Sequence, residues 1–484
     1  MKNHLAFFLS ALLYYLPLQA APLPEAAKPV QPEHNFNITE GMEHNRNGSQ
    51  TEKNPASADS SQTLELSADE LLARPELLKQ ALISSLVLQN IPAIRQLLPI
   101  YRRLPDHDQA GENRLLHTLS QALLDRAEGR FGRSADAYRR ALAEYPDMPV
   151  IRFFLAQNLF ADQQNREAEQ EFKQLENHSG LPEAARRVIP EYLDGLKQRQ
   201  RWQFYGNGYY TRERNINNAT GKERAIINGG VWLLPKTESA QGIAYRGGGV
   251  RDWYLKNGFS LRGGADIDGK FYWDNHEYDD LSIRISTGAV YRNARSEAAL
   301  LPYFERRWYG TEKYNRDTGV RAEVSHRFNS RHRLLTAAEY GRERYDERHF
   351  LNGPRASLSA TWLYGFSSNG YMTLGGDWAY KKARDGDDSY RRYGLRGSWS
   401  QYWQNGLNTG LSLSYGMRRY QGEDLLNIRR RDREYAAGLT LAHEKLVWRG
   451  VRPQLVLQWQ KTASNHPLYG HQKANGFIQL NKSF

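Results

Sequence analysis

The chain has 484 residues, a formal net charge of +12 and no cysteine. That length allows two or three domains, and the missing cysteines exclude disulfides and thiolate metal sites, which suits an oxidising compartment. Past residue 20 no apolar run is long enough for a membrane helix; this does not exclude a barrel, whose strands show only every second residue to lipid.

Residues 1–20 read as a secretory signal. Lys2 and His4 make a basic start, Leu5 to Leu16 an apolar core, and Leu18-Gln19-Ala20 a cleavage site after Ala20. Residues 21–62 are rich in Pro, Glu, Asn, Ser and Thr and bury too little to offset ordering entropy, so they predict a disordered leader.

Residues 63–200 predict a helical domain. All eleven tryptophans lie from Trp202 onward and only seven of forty glycines precede residue 201, so composition changes at about residue 200. Ala122, Ser134 and Tyr138 return 34 residues later as Ala156, Ala168 and Phe172. Ala137 to Pro146, including Ala141, matches the second helix and closing proline of a tetratricopeptide repeat, where small residues let paired helices approach and an aromatic fills the gap. Asp125 stands where the first copy should carry tyrosine, and Gly180 where the second should carry proline. Ser67 to Asn90 and Ala93 to Arg103 predict further helices, with Ser67 as N-cap ahead of Asp69 and Glu70. A stack of this kind has a concave groove suited to an extended peptide.

Residues 201–484 predict an antiparallel transmembrane β-barrel of about 14 strands, making the whole an α + β multidomain protein with a TPR-like solenoid first. In Leu407 to Arg418, the residues Leu407, Leu411, Leu413, Tyr415 and Met417 share one parity; Asn408, Ser412, Ser414 and Arg418 share the other. Leu281, Ile283 and Ile285 alternate with Ser282, Arg284 and Ser286 in the same way. Charge on the inward parity is tolerable only facing a wet lumen. Short turn signals at Asn257, Asn293, Asn329, Asn369, Asn405 and Arg449-Gly450 recur every 36 to 44 residues, one long hairpin apart. The connections between them are mostly longer. An even strand count puts both ends of the barrel, and the helical domain before it, on the periplasmic side. Ile478, Leu480 and the terminal Phe484 resemble the signal read by the barrel-assembly machinery, although Lys482 stands where an aromatic is usual. Gly206, Gly208 and Gly476 weaken pairing between the first and last strands and mark a lateral seam.

Chemistry-bearing motifs are missing. There is no phosphate-cradling Gly-rich loop with its lysine, no zinc-binding His pair on a helix and no nucleophile elbow, so neither an enzyme nor a cofactor is expected. The pairs Asp266/Asp268 and Asp279/Asp280 near His276 read as acids of a wet lumen or loop. The run Arg429-Arg430-Arg431-Asp432-Arg433 reads as meeting lipid phosphates or loop carboxylates, not nucleic acid.

The order and spacing of Pro75-Glu76-Leu77-Leu78, Leu98-Pro99-Ile100-Tyr101, Asn215-Ile216-Asn217, Lys256-Asn257-Gly258, Glu305-Arg306-Arg307, Arg392-Tyr393-Gly394-Leu395-Arg396, Arg430-Arg431-Asp432 and Asn481-Lys482-Ser483-Phe484 resemble the Slam family, the surface lipoprotein assembly modulators. The resemblance implies an outer-membrane translocator that moves client lipoproteins from periplasm to cell surface, with no resident cofactor. Its partners would be client surface lipoproteins, the barrel-assembly machinery, periplasmic chaperones and outer-membrane lipid. A polysaccharide exporter, which also joins such repeats to a barrel, is the alternative; a longer repeat array and a lumen rich in aromatics and acids would favour it.

Overall fold

The computed structural model describes residues 66–105, 111–176, 178, 183–227, 230–448 and 451–483. The signal, its cleavage site Ala20, the leader, Gly180 and Phe484 lie outside these residues.

The helical part starts on a side-chain cap. The Glu70 N–H donates to Ser67 Oγ (3.3 Å) and the Ser67 N–H donates to Glu70 Oε2 (2.7 Å), a reciprocal box that holds α1 (Ala68–Leu72). The stretch from Ser67 to Asn90 forms two helices. Pro75 disfavours helical geometry at Arg74, which sits at φ −128°, ψ 69°, so the chain turns before α2 (Pro75–Val87). Asn90 Oδ1 accepts the Ala93 N–H and opens α3 (Ile91–Tyr101). There follow α4 (Glu112–Ala127), α5 (Phe131–Glu144), α6 (Pro149–Ala161), α7 (Asn165–Glu176) and α8 (Glu183–Arg199).

Ala122, Tyr138, Ala141, Ala156, Ala168 and Phe172 are all buried in one continuous core with Leu82, Leu98 and Leu123. Phe172 stacks on Tyr192 of α8 at 4.7 Å and meets Phe153 edge-on at 6.3 Å. Burial pushes the Tyr138 phenol well above its ordinary range. Asp125, the departure from the repeat pattern, accepts two bonds from the Arg130 guanidinium (2.6 and 2.8 Å) at the turn into α5.

A closed barrel follows, in the order β1-β16-β15-β14-β13-β12-β11-β10-β9-β8-β7-β6-β5-β4. Its 14 strands begin with β1 (Gln203–Glu213), β4 (Ala240–Tyr254), β5 (Phe259–Tyr272), β6 (Asp280–Arg292), β7 (Ser296–Tyr309), β8 (Glu312–Arg327) and β9 (His332–Tyr345). They continue with β10 (Gly353–Ser367), β11 (Gly370–Lys381), β12 (Tyr390–Tyr402), β13 (Leu407–Tyr420), β14 (Arg431–His443), β15 (Arg452–Ser464) and β16 (His471–Ser483). Every adjacent pair is antiparallel, and closure removes the open edges that lipid would punish. Leu395, Leu413, Ile285 and Ile478 lie exposed on the outer face; inward-facing Arg355 and Glu434 are buried and Arg284 is half-buried.

The turns entering β5, β7, β9, β11 and β13 form the short-turn rim. The connections on the opposite rim are longer, with one exception: Gly310-Thr311 joins β7 to β8 with both residues at positive φ (59° and 71°). The longest connection runs from β1 to β4. It carries a separate hairpin, β2 (Arg224–Ile227) with β3 (Gly230–Leu233).

Candidate functional site

Three places combine position with chemistry: the contact between helices and barrel, the lumen, and the junction of the first and last strands.

The helical domain is fastened to the short-turn rim. The Ala294 N–H donates to Asp162 Oδ1 (3.1 Å) and the Asn257 N–H to Glu167 Oε1 (2.6 Å). Arg295 Nη2 donates to the Glu128 carbonyl (2.9 Å), and the Tyr254 hydroxyl to the Arg199 carbonyl (2.9 Å). Gly129, at φ +75°, sits so near the Arg295 guanidinium that a Cβ there would collide with it. Arg199 is held beneath by Asn165 Oδ1 (2.6 Å) and lies over the Phe160 ring (3.9 Å to its centroid); burial lowers its pKa to about 10. The turns of the repeat stack thus meet the turns of the barrel. Replacing Asp162 and Arg295 together with alanine removes two of these bonds and is expected to weaken docking by about 2 kcal/mol. Faster proteolysis at Arg199 to Trp202 in detergent would report it; unchanged cleavage would mean the remaining contacts suffice.

The inner wall of the barrel carries linked ion pairs between nearby strands. Glu339 on β9 accepts from three arginines: Arg284 (3.1 Å), Arg321 (3.1 Å) and Arg355 (2.5 Å). Arg355 also pairs with Asp317 and donates to the Tyr303 hydroxyl (2.9 Å); Arg284 reaches Glu305 (2.7 Å). Lys381 pairs with Glu343 and bonds the Tyr345 hydroxyl (2.9 Å). Beyond them Glu434 takes Arg392 (2.7 Å) and Arg418 (2.8 Å). Near the short-turn rim, Asp252 and Glu297 share Arg262 and Arg292 at 2.7 to 3.0 Å. Buried charge persists only when paired this completely, so the wall's inward side chains close on one another.

The seam differs from the other junctions. The β1–β4 ladder runs the whole of β1, from Gln203↔Val250 to Glu213↔Ala240. The β1–β16 ladder runs only from Tyr205↔Ser483 to Tyr209↔Gln479. Above that, residues 210–213 of β1 and 471–478 of β16 have no register partner across the seam. Two inward side-chain contacts bridge the gap: Tyr209 stacks on Phe477 (4.1 Å), and Lys473 reaches Glu213 (3.4 Å), which Lys270 (2.5 Å) and the Tyr272 hydroxyl (2.7 Å) also hold. On the lipid face the seam carries Gly206, Gly208, Ala474 and Gly476. Gly206 and Gly208 lie within the paired part, and Gly476 lies opposite the break. Ile478 and Leu480 are exposed on the same face.

The loop rim is ordered by its own contacts. Arg430 pairs with Asp432 (2.7 Å) and lies over Tyr469 (3.5 Å to its centroid), and Arg429 pairs with Glu423 (3.4 Å). The arginine run therefore meets carboxylates and an aromatic. His466 bonds Asp424 through Nε2 (2.6 Å) while its Nδ1 accepts the Leu468 N–H (3.1 Å). Nδ1 must stay unprotonated to accept, and burial lowers the His466 pKa against the opposing pull of Asp424. A histidine lowered on folding supports the fold above its unfolded value of 6.5 and loses that support as pH falls through and below it. Proteolysis of residues 421–430 and 465–470 is expected to quicken on going from pH 7.5 to 5, and the His466→Gln variant to lose most of that pH dependence.

The acidic pairs are engaged structurally. Asp266 accepts the Tyr205 hydroxyl, Asp268 pairs with Arg246 (3.0 Å), Asp280 with Arg307 (2.7 Å), and Asp279 with His276 (3.0 Å). The β2–β3 hairpin, with Ile226, Val231 and Leu233 exposed, was not foreseen. Asn228-Gly229 between two apolar runs is the sequence signal that could have found it.

Residues 202–484 match the family model described as surface lipoprotein assembly modifier, and residues 64–172 match the one for that family's N-terminal TPR repeats. "Surface lipoprotein assembly modifier 1" of Haemophilus influenzae is 33% identical over 99% of this chain and 98% of its own length. The protein of the same name in Neisseria meningitidis serogroup B is 32% identical over 87% and 86%. "Hemophilin secretion modulator" of Acinetobacter baumannii is 24% identical over 77% and 80%.

Proposed function

The chain belongs to the surface lipoprotein assembly modifier family, and from that membership we propose that it delivers client lipoproteins from the periplasm to the cell surface, its repeats receiving the client and its outer-membrane barrel passing it across. The observation that carries the reading is the fastening of the repeat stack to the barrel's short-turn rim by Asp162, Glu167, Arg199 and Arg295. The groove expected of such a repeat stack would thereby hand an extended peptide to the barrel. The paired charges along the inner face argue for passage along the wall, and the short β1–β16 ladder is the weakest place in it. A route through the seam also spares the acylated end a crossing of polar lumen. Drive would come from folding of the client outside, since a sink on one side draws an equilibrium across. The barrel-assembly machinery would install the protein by its last strand, periplasmic chaperones would present the client, and lipid would surround the seam.

Deletion of the protein in a cell carrying candidate lipoproteins tests this. Loss of surface display with total lipoprotein retained supports translocation. Unchanged display with lost polysaccharide would transfer the assignment to polysaccharide export.

A further inference from the structure

Resting on the translocation reading, we infer that the outer half of the seam is a strand-docking site: an extended segment of the client, next to its acylated end, pairs with the open edge of β16. Residues 471–478 keep a complete ladder to β15, from Thr462↔His471 to Leu455↔Ile478, so this stretch is a formed strand and not a frayed end. Its other edge has no register partner among the described residues, because the β1–β16 ladder stops at Tyr209↔Gln479. Such an edge offers main-chain donors and acceptors at strand spacing, which is the chemistry that recognises an extended polypeptide with little regard to its side chains. Within a bilayer, backbone groups left without partners cost several kcal/mol each, so the edge favours an incoming strand over lipid.

The two faces of the cleft set the direction of entry. Toward the lumen it is closed by the Tyr209–Phe477 stack and by Glu213, which holds Lys473 and Lys270. Toward lipid, Ala474 and Gly476 on β16 present almost no side chain, and only Tyr210 and Arg212 of β1 stand beside them. Entry is therefore from the lipid side. That is where acyl chains reside, and the polypeptide attached to them can lie against β16 while the chains stay in hydrocarbon. The register of an antiparallel pair brings alternate residues of the docked segment to the same face.

The test uses the absence of native cysteine. Ala474→Cys is placed on the open edge and Leu457→Cys on the lipid face of β15, which is paired on both sides. A client carrying single cysteines after its acylated residue, and a fast-folding passenger that halts it in transit, is expressed with each variant in whole cells. The expected result is disulfide capture by the Ala474→Cys variant at every second client position and no capture by the Leu457→Cys variant. Capture equal at both sites, or without alternation, overturns strand docking. Capture by cysteines in the repeat groove with none at the seam, display continuing, also overturns it while leaving translocation standing. Display that persists when the whole protein is deleted removes the translocation reading itself.

Discussion

The Glu339→Ala variant is expected to lose about 3–5 kcal/mol of barrel stability, the cost of stranding buried charge. Glu339 is the common acceptor of Arg284, Arg321 and Arg355. Removing it leaves three guanidiniums from β6, β8 and β10 facing one another without their shared counter-charge. Each arginine then keeps one other carboxylate, Glu305 for Arg284, Glu323 for Arg321 and Asp317 for Arg355, which offsets part of the loss. The same change opens the mesh, so ion conductance across planar bilayers should rise from a low baseline. Urea unfolding of protein refolded into lipid vesicles measures the first effect, and single-channel recording the second. The isosteric Glu339→Gln keeps the shape but loses the charge, so it should fall nearer to Glu339→Ala than to the unchanged protein. A loss below about 1 kcal/mol would place these groups in water-like surroundings, where ion pairs contribute little, and would contradict their burial.

Stapling the seam should abolish display while leaving the barrel folded. Gly208 and Leu480 are register partners on the paired part of the β1–β16 ladder, and the chain offers no competing thiol. A Gly208→Cys/Leu480→Cys pair fixes the two strands together by a bond no conformational change can break. Reduction should restore display. Leu395 and Tyr415 are partners on β12 and β13, far from the seam in strand order, and the same staple there should be silent. Surface accessibility of a tagged lipoprotein reads both. Full display with the seam oxidised would exclude lateral opening. The client would then have to pass through the lumen, and the conductance of the Glu339 variants would become the relevant guide.

Sequence and structure agree wherever the cause is local. The aromatic and small positions of the helical repeat are legible because packing between neighbouring helices repeats with the chain. Tyr138 and Phe172 occupy equivalent sites in one core for that reason. The hairpin β2–β3 escaped because its runs, Arg224–Ile227 and Gly230–Leu233, are too short to show a period. The break before Pro75 was legible in principle, since the residue preceding proline avoids helical geometry.

The 34-residue repeat, and after it the alternation of apolar and polar residues, determined that this chain builds a helical stack and then a barrel with one greasy and one charged face. Each side chain's direction follows from its own backbone, so neighbours in sequence suffice to state it. Which charges meet was decided only by the closed sheet. Arg284, Arg321 and Arg355 reach Glu339 through the curvature and stagger of β6, β8, β9 and β10. The glycines marked the seam but not its extent. That the β1–β16 ladder ends at Tyr209↔Gln479 depends on where the first strand arrives against the last. Those strands lie at opposite ends of the barrel sequence, and no local pattern records the offset between them.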